Sequence, residues 1–134
     1  MTEFRIVAAT PLDPGEAWRR VTDWPRHAMP FTAVRSDGRT VAARTGLGRL
    51  GFEDVMDVVR WEPPQPGRPG TCRLAKRGPL VLGWAEIEVR PHRGGALVRW
   101  REDLRIAPLP ALFDRPTAWC GRLLFRRTLR ALLR

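Results

Sequence analysis

The chain has no tyrosine and no asparagine, and only one serine (Ser36), one glutamine (Gln65) and one lysine (Lys76). These absences remove whole classes of chemistry. A tyrosine general acid is impossible. A serine nucleophile would have to be Ser36, which lies in the turn-like run Arg35-Ser36-Asp37-Gly38 and not in a G-x-S-x-G elbow. Cysteine is scarce, and Met1-Thr2-Glu3-Phe4-Arg5 lacks the basic and apolar regions of a signal peptide. A disulfide framework is therefore not expected, and a cytoplasmic location is. No run approaches the ~18 apolar residues that a membrane span needs. Cys72, Cys120, His27 and His92 are not paired at the short spacings of zinc sites, so neither a metal nor a cofactor is expected. Acid–base work falls to carboxylates, the two histidines, the two cysteines, Lys76, or groups of a ligand.

What is present reads as one domain spanning residues 1–134, with 43% hydrophobic and 28% charged residues. The formal charge is +10, and all but one of the 24 cations are arginine. Half of that excess lies in residues 111–134, where Arg115, Arg122, Arg126, Arg127, Arg130 and Arg134 face a single Asp114. One reading is a solvated basic helix face. The other is a surface for an anionic partner, with peripheral contact to anionic membrane rather than specific nucleic-acid recognition.

Residues 3–9 suit a strand. Asp13-Pro14-Gly15-Glu16 then supplies an N-cap, a proline at the first helical position and a capping-box glutamate, and Ala17, Trp18 and Val21 give a short helix its apolar stripe. Asp37-Gly38 predicts a type I′ hairpin between Val34 and Val41. Strands are expected at 51–61, 71–77, 80–90 and 96–107, with a proline-rich loop at 63–70. Pro108 and Pro110 close the strand region. The rest reads as one long helix, with Asp114 at its N-cap and Pro116 in its first turn.

A two-residue turn at Arg93-Gly94 sets a register that sorts side chains by character. Val89 faces Val98, Ile87 faces Trp100, Ala85 faces Glu102 and Gly83 faces Leu104 on one side. Glu88 faces Arg99 and Glu86 faces Arg101 on the other. A turn at Gly78-Pro79 would set Leu74 beside Gly83 and Cys72 beside Ala85. On the C-terminal helix, Thr117, Cys120, Gly121, Leu124, Phe125, Thr128, Ala131 and Leu132 fall on one broad face, with the arginines on the other.

Glu102 is the most informative residue, because it sits between Trp100 and Leu104 on the apolar face. A carboxylate there is costly unless it is paired or protonated. The structural reading is an arginine partner at the rim or a bulge that turns it outward. The functional reading is an anchor for a ligand hydroxyl or a general acid/base. Trp61, Trp84 and Trp100 suit core packing or a planar ligand, with Trp84 expected on the outer face. His27 and His92 read as solvated loop residues. Gly46-Leu47-Gly48-Arg49-Leu50-Gly51 fits G-x-G-x-x-G but is followed by strand-like sequence, so it reads as a flexible loop at a cavity mouth and not as a dinucleotide site.

The order of elements resembles the helix-grip fold of the START-like, SRPBCC superfamily, especially its polyketide cyclase/dehydrase and lipid-transport types. The resemblance is carried by Asp13-Pro14-x-Glu16-Ala17-Trp18-x-x-Val21-x-Asp23-Trp24-Pro25, Thr45-Gly46-Leu47-Gly48, Val55-Met56-Asp57-Val58-Val59-Arg60-Trp61-Glu62-Pro63-Pro64, Gly83-Trp84-Ala85-Glu86-Ile87-Glu88-Val89 and Val98-Arg99-Trp100-Arg101-Glu102-Asp103. It implies an α+β fold in which a curved antiparallel sheet of six to seven strands wraps the long helix around an apolar cavity. The expected function is binding of a small hydrophobic ligand, lipid or aromatic polyketide. Its contacts would come from Cys72, Leu74, Ala85, Ile87, Trp100 and Leu104 of the sheet and Thr117, Gly121, Leu124 and Phe125 of the helix. The alternatives are a cyclase-type lyase or isomerase with Glu102 as acid/base, and anionic-surface binding through the arginine face.

Overall fold

A computed structural model describes residues 3–27, 32–47, 50–77, 81–106 and 114–134. The elements are β1 (Glu3–Thr10), α1 (Pro14–Val21), a 3-10 turn (Trp24–His27), β2 (Thr32–Ser36), β3 (Thr40–Leu47), β4 (Leu50–Glu62), β5 (Gly70–Lys76), β6 (Val81–His92), β7 (Gly95–Ile106) and α2 (Asp114–Leu132). All seven strands join one antiparallel sheet in the order β1-β7-β6-β5-β4-β3-β2, curled into a half-barrel. The expected α+β architecture is thus the observed one.

Local chemistry explains the boundaries. The Asp13 carboxylate accepts the Glu16 N–H at 3.0 Å and caps α1, with Pro14 in the first turn. Ala17, Trp18 and Val21 bury the inner side of that helix. The β6–β7 hairpin turns at Arg93 (φ 46°) and Gly94 (φ 79°), the two positive values that a type I′ turn requires. Its ladder pairs Val89 with Val98, Ile87 with Trp100, Ala85 with Glu102 and Gly83 with Leu104, as the sequence register predicts. The outer face carries the ion pairs Glu86–Arg101 (2.9 Å) and Glu88–Arg99 (3.2 Å). Trp84 lies on that face opposite Asp103, beneath the Arg73 guanidinium at 4.5 Å.

Three local expectations are corrected. The β5–β6 ladder sets Leu74 opposite Ala85 and Cys72 opposite Ile87, two residues from the expected register. That register brings Arg73 opposite Glu86, where they pair at 3.0 Å, whereas the expected one would have set Arg73 opposite Trp84. A shift of two preserves which residues face inward. The expected turn at Gly78-Pro79 lies outside the described residues. In the β2–β3 hairpin Ser36 pairs with Val41, so Gly38 and Arg39, not Asp37 and Gly38, are the central residues. Asp37 instead accepts the backbone N–H groups of Arg39 (3.0 Å) and Thr40 (2.8 Å), holding the turn with its carboxylate. The glycine-rich run is a tight β3–β4 connection in which Gly46 pairs with Gly51 and Leu47 with Leu50. A strand follows it, not the helix a dinucleotide would need; Gly48 and Arg49 lie outside the described residues.

The helix α2 packs on β1 and β7 and touches α1 and the 3-10 turn. Its buried residues are Ala118, Gly121, Thr128, Leu129 and Leu132, with Leu133 buried just past its end and Phe125 half-buried. The buried face is therefore turned by roughly 70° from the one periodicity suggested. Cys120 and Ala131 are exposed, and Leu124 is 47% exposed, so Leu124 does not share the packed face. Burying Leu129 and Leu133 removes more apolar surface than burying Cys120 and Ala131 would. The capping side chain of Asp114, the side chain of Thr117, Pro108 and Pro110 lie outside what the structure describes. Gly121 lies close against the sheet: a Cβ there would stand 3.2 Å from the Phe4 ring and 3.3 Å from a Leu104 methyl. Gly121→Leu is expected to cost about 1–3 kcal/mol in urea unfolding, outweighing the roughly 1 kcal/mol of helix propensity it gains.

Candidate functional site: a polar pole inside the sheet

The inner face of the sheet is apolar over most of its area, through Ile6, Val41, Leu74, Ile87, Val89 and Val98. An aromatic chain crosses it. Phe4 stacks on Phe125 at 5.9 Å, Phe125 meets Trp100 at 5.1 Å, Trp100 meets His27 at 5.4 Å, and His27 meets Trp24 at 5.2 Å. The space expected between α2 and β7 is therefore closed where Trp100 and Phe125 touch. Trp61 stands edge-on to Trp18 at 5.1 Å, brought inward by the irregularity between Val58 and Arg60 that changes the phase of β4.

Set into this surface is a group of charged residues. Glu102 is buried at 2% exposure, on the inner face opposite Ala85. Lys76, whose side chain is 1% exposed, donates to Asp54 at 2.5 Å and to the Met56 sulfur at 3.4 Å. Burial alone would depress the Lys76 amine, but the charges of Glu102, Asp54 and Asp103 more than offset it and hold the amine above its usual range. For Glu102 the balance runs the other way. Burial pushes its carboxyl up to about 7, against the pull of the Lys76 charge and the weaker help of the Trp100 indole N–H. On β6, between Lys76 on β5 and Glu102 on β7, stand only the small residues Gly83 and Ala85.

Besides the Asp54 Oδ1, two polar atoms of this group make no hydrogen bond of ordinary geometry with any described residue: the Trp100 indole Nε1 and the Glu102 Oε2, all three buried. They are a donor and an acceptor on successive inward positions of β7. Such atoms are costly to leave unmade, at about 1–3 kcal/mol each, so a pair side by side is a ready receptor for one group that both accepts and donates.

Other candidates fall into place around this pole. Cys72, Leu74, Ala85 and Ile87 are buried inward beside it, and Leu104 is half-buried. Burial drives the Cys72 thiol to about 12, leaving no thiolate for nucleophilic work near neutrality. His27 corrects the sequence reading. It is not solvated but 6% exposed, with Nε2 donating to the Val21 carbonyl at 2.7 Å, and its burial favours the neutral ring. The sequence does not single out Asp54, and it offers Lys76 and His27 only as groups able to do acid–base work, not as members of this site. For Lys76 a signal existed: it is the only lysine in an arginine-rich chain and shares the inward parity of Cys72 and Leu74. Among the described residues no group of histidine, cysteine and carboxylate side chains is arranged to hold a metal ion. Among the described residues no helix is long and apolar enough to cross a membrane.

No protein-family model matches the chain, and no curated protein does either. Solved structures do. A conserved protein from Geobacillus kaustophilus aligns with TM-score 0.69 at 11% identity, over 98% of this chain and 95% of that one. An AHSA1-like protein from Aeromonas hydrophila aligns with TM-score 0.60 at 17% identity, over 96% and 92% of the two chains. A polyketide-cyclase-like protein from Corynebacterium glutamicum aligns with TM-score 0.57 at 13% identity, over 98% and 89%. Together with a curled antiparallel sheet closed by a C-terminal helix, these alignments give the chain the helix-grip fold.

Proposed function

We propose that the chain binds a small, largely apolar molecule on the inner face of its sheet, with one polar end of the ligand seated between the Trp100 Nε1 and the Glu102 Oε2. The observation that carries this reading is the pair of buried polar atoms on neighbouring inward positions of β7, whose contact with each other falls short of ordinary hydrogen-bond geometry. A ligand hydroxyl satisfies both at once, accepting from the indole N–H and donating to the carboxylate. A carbonyl oxygen accepts from the indole and also from Glu102 while that carboxyl is protonated. Cys72, Leu74, Ile87 and Leu104 supply apolar contacts around that end. The polyketide-cyclase-like protein that shares the fold suits a ligand of this kind.

Acid–base catalysis on the bound molecule is the second reading. It is favoured by one observation: the Glu102 carboxyl is poised at about 7, where it both gives and takes a proton at neutral pH. Binding and catalysis make the same first demand, a ligand seated at Glu102.

Native mass spectrometry of the protein purified from its own cells tests the binding. The expected spectrum shows a one-to-one adduct of an apolar molecule with a hydroxyl or carbonyl group, released on denaturation and reduced in Glu102→Gln. Bare protein mass throughout, together with no retention of small aromatic phenols or ketones added to it, would count against the reading.

A further inference from the structure

The outer edge of the sheet carries a separate feature. A groove of about 620 Å³ runs between β1 and α2, and its strand wall is the five consecutive residues Glu3 to Val7. Successive strand residues point to opposite faces, so a groove that touches all five follows the backbone edge of the strand. Among the described residues β1 is the last strand of the sheet and pairs only with β7, which leaves its other edge without a neighbouring strand there. The helix wall includes Arg115, Trp119, Arg122 and Arg126, spaced so that they form one stripe. The stripe is about 16 Å long, the span of roughly five extended residues.

Charge and exposure identify what fits. Arg5, Arg115, Arg122 and Arg126 line the groove, all are exposed, and none has an ion-pair partner among the described residues. The one acid in the lining, Glu3, already faces Arg101 at 3.9 Å. Arg5 stands directly opposite Arg101 in the ladder, so its cross-strand neighbour offers it no counter-charge. Trp119 is 62% exposed at the same wall, an uncovered apolar plate beside the arginines.

We propose that this groove docks an acidic, extended peptide segment of a partner protein, which adds as one more strand along β1 and places alternate carboxylates against Arg115, Arg122 and Arg126. An extended peptide meets both the donors and the acceptors of a strand edge, and edge strands are natural templates for such pairing. A nucleic-acid backbone offers phosphate acceptors but no regular donors for the strand's carbonyls. A bilayer is flat and does not enter a groove. The site is on the outside of the sheet edge and does not depend on the interior ligand.

The test uses the intact protein and a fluorescent peptide of alternating Glu and Val, read by anisotropy. Binding is expected to weaken by about tenfold or more between about 10 and about 150 mM salt, as the screening length falls. The double substitution Arg122→Gln, Arg126→Gln is expected to weaken it by about tenfold, while Arg130→Gln, outside the groove, leaves it unchanged. The same peptide methylated at its backbone nitrogens keeps its charge and loses its binding. The proposal is overturned by no binding at low salt, by undiminished binding of the methylated peptide, or by equal loss in Arg130→Gln. It is also overturned if oligothymidylate or phosphatidylserine vesicles bind more tightly with the same dependence on Arg122 and Arg126.

Discussion

Lys76→Met is expected to destabilise the fold by about 3–5 kcal/mol, the usual cost of removing one partner from a buried ion pair. The side chain is 1% exposed and its amine pairs with Asp54 at 2.5 Å. It is also the cation nearest in effect to Glu102. Methionine fills a similar volume and is tolerated beside Met56, so the loss reports charge and not packing. Asp54 is then left inside with no cation, and its second oxygen, Oδ1, already lacks a hydrogen-bond partner among the described residues. Adding Asp54→Asn to Lys76→Met is expected to restore a good part of the loss, since the stranded charge goes with it. Urea unfolding of the two variants measures both effects. A loss below about 1 kcal/mol for Lys76→Met would mean that water reaches this pair.

Glu102→Gln is expected to do the opposite at alkaline pH and little at acid pH. The carboxyl rises from 4.5 to about 7 on folding because burial disfavours its charge. Between these values the folded state holds a proton that the unfolded state has released. Stability from this group is therefore complete below pH 4.5 and falls as pH rises through about 7. The full loss amounts to about 3 kcal/mol, at about 1.4 kcal/mol for each pH unit between the two values. Glutamine cannot ionise, so the variant should gain about 3 kcal/mol over the parent near pH 8 and almost nothing near pH 4. His27 acts with the opposite sign. Its depressed basicity costs stability as pH falls through the ordinary histidine range, but it is common to both proteins and cancels in the difference. Thermal or urea unfolding across pH gives the curve. A variant less stable than its parent at pH 8 would show that Glu102 is a stabilising ion-pair partner there.

How far the sequence could lead depended on how local each determinant was. The Asp13 cap, Pro14 and the short α1 were readable because cap, proline and stripe lie within nine residues of one another. The β6–β7 register was readable because a single turn, Arg93-Gly94, sorts apolar from ionic pairs along both strands, and it carried Glu102 to the inner face correctly. The β5–β6 register was not, because a two-residue shift keeps every side chain on its face and so leaves no trace in the alternation. Leu124 was misjudged because periodicity gives a broad stripe, while the contact of Gly121 with Phe4 and Leu104 decides which part of it packs. The Lys76–Asp54 pair joins residues 22 apart on strands β5 and β4, and His27 reaches Trp100 across the fold. Contacts of that kind follow from the assembled sheet and not from any local pattern. The resemblance to the helix-grip fold was legible in the order of elements, whereas the polar pole appears only when the four strands β4 to β7 are laid side by side.

The most direct test of the polar pole is a titration of the Glu102 side-chain carboxyl by carbon-13 NMR on the intact protein. A carboxyl shut into the sheet beside the Trp100 indole N–H is expected to titrate with a midpoint of about 7. A midpoint at or below 4.5, the ordinary value for a glutamate, would show a carboxylate that is solvated or firmly paired, and would contradict the reading of Glu102 as the polar end of a ligand site.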